Sequence, residues 1–136
     1  MSIYDRDIRR IIGNIPYYIS GPDVWSNVLL GQTCVWPRKI LVYSDSHVEG
    51  IYQVGGLDFE IVLRPYPQTI TLEWIAIDLL NNYERAFLDL DEAEMHLQRY
   101  IRSGELNLAL LLRLAEEFGS ETTSETTYKL VNQSLL

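Results

Sequence analysis

The stretch LDFEIVLRPYPQTITLEWIAIDLL, residues 57–80, decides the fold. Read as two arms around Pro65-Tyr66-Pro67-Gln68, it predicts a β-hairpin of 57–64 against 69–80. With Arg64 opposite Thr69, the apolar residues fall opposite one another: Leu63 with Ile70, Ile61 with Leu72, Phe59 with Trp74, Leu57 with Ala76. The other face pairs Val62 with Thr71 and Glu60 with Glu73, and Asp58 comes next on it. Directly opposed side chains have Cβ atoms roughly 4.5–5.5 Å apart, and like charges there are destabilising. A Glu60/Glu73 pair held this way points to a partner, a cation or a proton. One residue of slippage would turn one strand over and separate the two glutamates. Farther along the second arm, Ile75, Ile77 and Leu79 continue the polar-face alternation. That end is apolar on both faces, as in a central strand covered on each side.

Outward from this stretch, turn signals divide the chain into short elements. Lys39 to Tyr43 and Gly50 to Val54 read as strands, separated by Ser44-Asp45-Ser46-His47 and closed by Gly55-Gly56. Residues 83–88 read as one further strand, and 15–20 as another. Tyr4, Ile8, Ile11 and Ile12 recur at helical spacing, and Gly13 is a natural stop. Pro22 suits the first position of a short helix running to Leu30.

Asp89 or Asp91 is placed to cap a helix with the stripe Ala93, Leu97, Tyr100 and Ile101. The helix from Glu105 to Phe118 is apolar on nearly every side, so it is buried or lies in an interface. Leu106, Leu110 and Leu114 are its candidate oligomer contacts. The repeated Ser-Glu-Thr-Thr of residues 120–127 reads as a flexible linker. The sequence therefore predicts a single α+β domain over 1–119, followed by a flexible tail over 120–136. Its core is an antiparallel sheet of about five strands, with one N-terminal and two C-terminal helices packed on it.

Composition bounds the function. The chain has 136 residues, 47% of them hydrophobic, and a net charge of −8. Residues 1–72 carry seven acidic and six basic side chains, whereas residues 73–121 carry eleven and four. An acidic half repels phosphate backbones and anionic lipid, which disfavours nucleic acid and membrane. A lone cysteine, Cys34, and a start without an apolar leader favour the cytoplasm.

Catalytic and metal signals are sparse. Cys34, His47 and Asp45 offer the residue types of a nucleophile, base and orienter without a local signature. Asp89, Asp91, Glu92, Glu94 and His96 crowd together, but the sixth and twelfth positions from Asp89 are Glu94 and Tyr100. A calcium loop needs Gly and Glu there. No phosphate loop, HExxH or paired CxxC occurs, and no cofactor is expected.

These readings favour a non-enzymatic, acidic protein-binding module of the inhibitor, immunity-type or adaptor kind. Its basic partner would meet Asp58, Glu60 and Glu73, with Tyr52 and Tyr66 as aromatic anchors. The alternatives are a homodimer or other oligomer joined through the 106–118 helix, and a small hydrolase using Glu60 and Glu73. Set against the readings that use Glu60 and Glu73, sheet twist could splay the carboxylates, or Arg38, Lys39 or Arg64 could neutralise them.

Overall fold

The computed structural model describes residues 3–25, 29, 39–45 and 49–135. The elements are α1 (Asp5–Ile12), β1 (Tyr17–Ser20), α2 (Pro22–Trp25), β2 (Lys39–Ser44), β3 (Gly50–Val54) and β4 (Leu57–Val62). They are followed by α3 (Leu72–Asn81), a 3-10 turn (Tyr83–Ala86), α4 (Leu90–Ser103), α5 (Leu108–Phe118) and α6 (Glu121–Ser134). The class is α+β. Among the described residues the sheet has four strands in the order β1-β2-β4-β3, rather than five antiparallel ones. β3 and β4 form a hairpin on Gly55-Gly56, whose φ values of 60° and 82° suit a tight two-residue turn. β4 then lies between β3 and β2, parallel to β2, and β1 pairs antiparallel with β2. The sheet is mixed.

The 57–64/69–80 hairpin does not form. Its first arm is β4, but its second is the helix α3, preceded by a non-regular segment through Pro65 and Pro67. The physical reason lies in residues 71–80. Thr71 caps the helix by accepting the Trp74 backbone N–H at 3.2 Å, and Glu73 sits in the positively polarised first turn. Every residue from Glu73 to Leu80 is buried. A run apolar on both faces fits a covered strand and a buried helix equally well, and periodicity alone does not separate them. The 83–88 segment, expected as a strand, is largely the 3-10 turn.

The sheet has two covered faces. Ile40, Val42, Phe59 and Ile61 pack under Ile8 and Ile12 of α1. Leu41 and Tyr43, pointing the other way, join the larger core with Trp25, Trp74, Ile77, Leu97, Leu111 and Leu130. That core includes the C-terminal segment. Residues expected to form a flexible tail instead form α6, capped by Ser120 and packed on α5, α4 and α3. Thr123, Thr126, Thr127, Leu130 and Val131 are its buried stripe, at i, i+3, i+4, i+7 and i+8. The expected oligomer helix also changes character. Leu106 precedes α5, and both Leu106 and Leu114 are buried within this chain's own core, with Leu110 half-buried. Leu106 and Leu114 are thus taken up by this chain's own core, and Leu110 only in part. Among the described residues, no helix is long and apolar enough to cross a membrane.

Candidate functional site

The residues singled out as a recognition face are dispersed. Glu60 on β4 is gripped by Arg85, whose two terminal nitrogens donate to its carboxylate at 2.5 and 3.2 Å. That hydrogen-bonded pairing holds the Glu60 carboxyl below its usual range. Glu73 is buried in the first turn of α3 and accepts the Asn107 backbone N–H at 3.2 Å. Asp58 is half-buried, in register with Lys39 and Gln53. Tyr52 lies in register with Phe59 and packs toward α1, on the sheet face opposite Glu60. Tyr66 is half-buried 5.7 Å from the Tyr18 ring, and burial raises its hydroxyl pKa. Glu60 and Glu73 therefore form no opposed acid pair, and the hairpin that would have built a hydrolase site is absent. Cys34, His47 and Arg38 lie outside the described residues. Among the described residues, no group of three His, Cys, Asp or Glu side chains could hold a metal ion.

The sequence reading missed Asp78. It stands in the middle of α3, fully buried, at the junction of helix and sheet. Its carboxylate accepts hydrogen bonds from the Ser20 hydroxyl, from Trp25 Nε1 at 3.1 Å, from the Tyr43 hydroxyl at 2.5 Å and from Asn82 Nδ2 at 3.2 Å. Burial drives its pKa up, and the hydrogen bonds from Ser20, Tyr43 and Trp25 oppose that rise. Tyr43 is pushed up as well, first by burial and then by the charge of Asp78. The signal was visible: one acid inside Trp74-Ile75-Ala76-Ile77-Asp78-Leu79-Leu80 must find partners or stay out of the core.

A second feature, also missed, is the turn between α3 and α4. Asn82 ends α3, Tyr83–Ala86 winds one 3-10 turn, and Asp89 caps α4. Phe87 N–H donates to Glu84 O at 3.1 Å, and Leu88 N–H donates to Tyr83 O at 3.1 Å. The bend leaves Phe87 in the left-handed region, at φ 60° and ψ 31°. It is the one non-glycine residue with positive φ among those described. A bulky residue is rarely held there, and such strain concentrates at functional sites. Phe87 is also 92% exposed, so no packing repays the conformation.

The sequence on either side of Phe87 is acidic. Glu84, Asp89, Asp91 and Glu92 are all exposed. Asp89 and Glu92 form a capping box, at 2.8 and 3.2 Å, that orients the start of α4. The only basic side chain between residues 82 and 92, Arg85, is neutralised by Glu60, which also ties the turn to the sheet. The result is an exposed aromatic side chain with four exposed acidic residues within five positions of it along the chain. Searches for a matching protein family, a similar curated protein and a similar solved structure each returned no match.

Proposed function

We propose that the chain is an acidic protein-binding module whose docking point is the Phe87 turn, and whose partner presents a basic surface around an apolar pocket. The observation that carries this reading is Phe87 itself: a large aromatic residue, 92% exposed, in a strained backbone conformation. Aromatic anchors inserted into a partner's pocket account for much of the energy of protein interfaces. The carboxylates of Glu84, Asp89, Asp91 and Glu92 supply a field that steers a cationic partner and rejects anionic ones. The exposed Met95, one turn beyond Asp91 on α4, extends the apolar contact. This moves the recognition surface from Asp58, Glu60 and Glu73 to residues 84–95 and keeps the class of partner.

The test is affinity capture with the full chain, run beside a Phe87→Asn bait and a Glu84→Lys/Asp91→Lys bait. A basic protein held by the wild type, released by moderate salt and lost from both variants supports the reading. Equal retention of every captured protein by all three baits refutes it.

A further inference from the structure

Where the end of β4, the C-terminal end of α3 and the start of α6 meet, two depressions adjoin. One, of about 310 Å³, is polar and is lined by Arg64, Asn81, Asn82, Glu84, Arg85 and Ser120 among others. The other, of about 270 Å³, has an aromatic wall of Tyr43, Trp74 and Phe118 beside Pro65. Arg64, Asn81 and Ser120 line both, so the two form one cleft with a polar lobe and a flat apolar lobe. Small-molecule sites have this composition: apolar walls with a few converging polar groups.

Arg64 is held in this cleft by hydrogen bonds to neutral groups, and the carboxylates of Glu60 and Asp78 act on it only from beyond contact distance. Its Nη1 donates to Asn82 Oδ1 at 2.9 Å and reaches the Tyr43 hydroxyl at 3.5 Å. Its guanidinium stands 5.6 Å from the centre of the Tyr43 ring. Asn82 is itself fixed, because its Nδ2 donates to Asp78 O and to the Tyr43 hydroxyl, each at 2.8 Å. The buried Asp78 network thus aims a neutral acceptor at one nitrogen of Arg64 and sets the plane of the guanidinium. Among the described residues, no carboxylate lies within ion-pair distance of Arg64, whereas Arg9, Arg85 and Lys129 each have one. Its Nε and Nη2 have no protein acceptor among those residues. A guanidinium oriented by neutral groups, with one edge of its fork unused, matches an oxyanion bidentately.

We infer that this cleft binds a small monocarboxylate with a flat apolar body. The carboxylate lies on the free edge of Arg64 and the body lies against Phe118 and Pro65. Glu84 in the polar lobe selects one negative charge over two, since a dianion would meet like charge there. The second guanidinium in that lobe, on Arg85, is already satisfied by Glu60 and adds no free charge.

The probe is phenylacetate, titrated into the full-length protein and followed by amide and side-chain NMR shifts, with calorimetry for affinity. Saturable binding that moves the Asn82 side-chain and Ser120 signals is expected. Phenylethanol, with the same body and no charge, should not saturate, and phenyl phosphate should bind more weakly. Arg64→Met should weaken phenylacetate by about tenfold or more, the scale of a lost charge-assisted pair. Arg64→Lys, which keeps the charge and the fold but loses the fork, should also weaken it. Phe87→Asn should leave it unchanged, which separates this site from the docking turn. The inference is overturned if phenylacetate fails to saturate at concentrations of about 20 mM, well above a millimolar Kd. It is equally overturned if phenylethanol or phenyl phosphate binds as tightly, or if Arg64→Lys binds like the wild type.

Discussion

Replacing Asp78 with alanine should be among the most damaging single substitutions in this chain. The carboxylate collects donors from β1, α2 and β2 and from the residue that ends α3. In Asp78→Ala the Trp25 indole N–H, which can only donate, is left buried without an acceptor. The Ser20 and Tyr43 hydroxyls lose theirs too, although each can rotate. A buried polar group stripped of its partner costs about 1–3 kcal/mol, so about 2 for the indole and about 1 for each hydroxyl gives a gross loss of about 4 kcal/mol. Relief of the desolvation that raises the Asp78 pKa offsets part of this, leaving about 3 kcal/mol. Domains of this kind have only about 5–15 kcal/mol in total. Asp78→Asn keeps the shape and one acceptor oxygen and should cost about 1–2 kcal/mol.

The assay for this series is urea unfolding followed by fluorescence of Trp25 and Trp74, both buried in the same core. The pH dependence has a defined sign. Because the folded-state pKa of Asp78 is raised, the native state binds the proton more tightly than the unfolded chain does. Stability conferred by Asp78 is therefore fully present below the ordinary carboxylate pKa of about 4 and declines as pH rises through the folded value. The gap between wild type and Asp78→Asn should shrink as pH rises from about 4. An alanine variant within about 0.5 kcal/mol of wild type, or a gap that widens with pH, would refute the reasoning.

Three further expectations follow from the same geometry. Phe87→Asn removes no packing and places a residue tolerant of the left-handed region at φ 60°, so thermal unfolding should show it as stable as wild type or more stable by about 1 kcal/mol; a clear loss would mean the ring is packed. Glu60→Gln should cost no more than about 1 kcal/mol at neutral pH, since Arg85 is partly exposed. Because the Glu60 pKa is lowered, that difference should be present above the ordinary glutamate value of about 4.3 and vanish as pH falls through the folded pKa, as read from parallel denaturation curves. A chain ending at Gly119 loses Leu130, Val131 and three buried threonines from the core, a loss of about 3–5 kcal/mol from the two apolar side chains alone; a cooperative transition at the wild-type Tm would sink the claim that α6 is structural.

Much of the chain was legible where local chemistry and burial agree. Gly55-Gly56 marked the end of the 50–54 strand, where the structure turns into β4, and Asp89, one of two candidate caps, starts α4. Ile8 and Ile12 gave the face of α1 that covers the sheet. Where the reading failed, the same pattern fitted two structures. Residues 74–80 are apolar apart from Asp78, and the choice between strand and helix rested on Thr71 as a cap and on whether the sheet needed another strand or a cover. The threonines of residues 120–127 looked like linker because their hydroxyls are polar. In the fold, Thr127 Oγ1 donates to Thr123 O at 2.8 Å, which lets a polar residue line a buried stripe.

Sequence alone determined the α+β class, the acidic balance and the Asp89 start of α4, because each depends on composition or on residues a few positions apart. Only the tertiary structure decided which charges are free. Glu60 and Glu73, adjacent on paper, are answered by Arg85 and by the Asn107 backbone, residues 25 and 34 positions away. Asp78 is answered from as far as Ser20, 58 positions away. Phe87 stays exposed because of a bend that no glycine announces. Arg64 has no carboxylate at ion-pair distance among the described residues, although it acts on Glu60 and Asp78 from farther off. Electrostatic pairing and burial depend on distance in space, and that distance is set only when the helices close over the sheet.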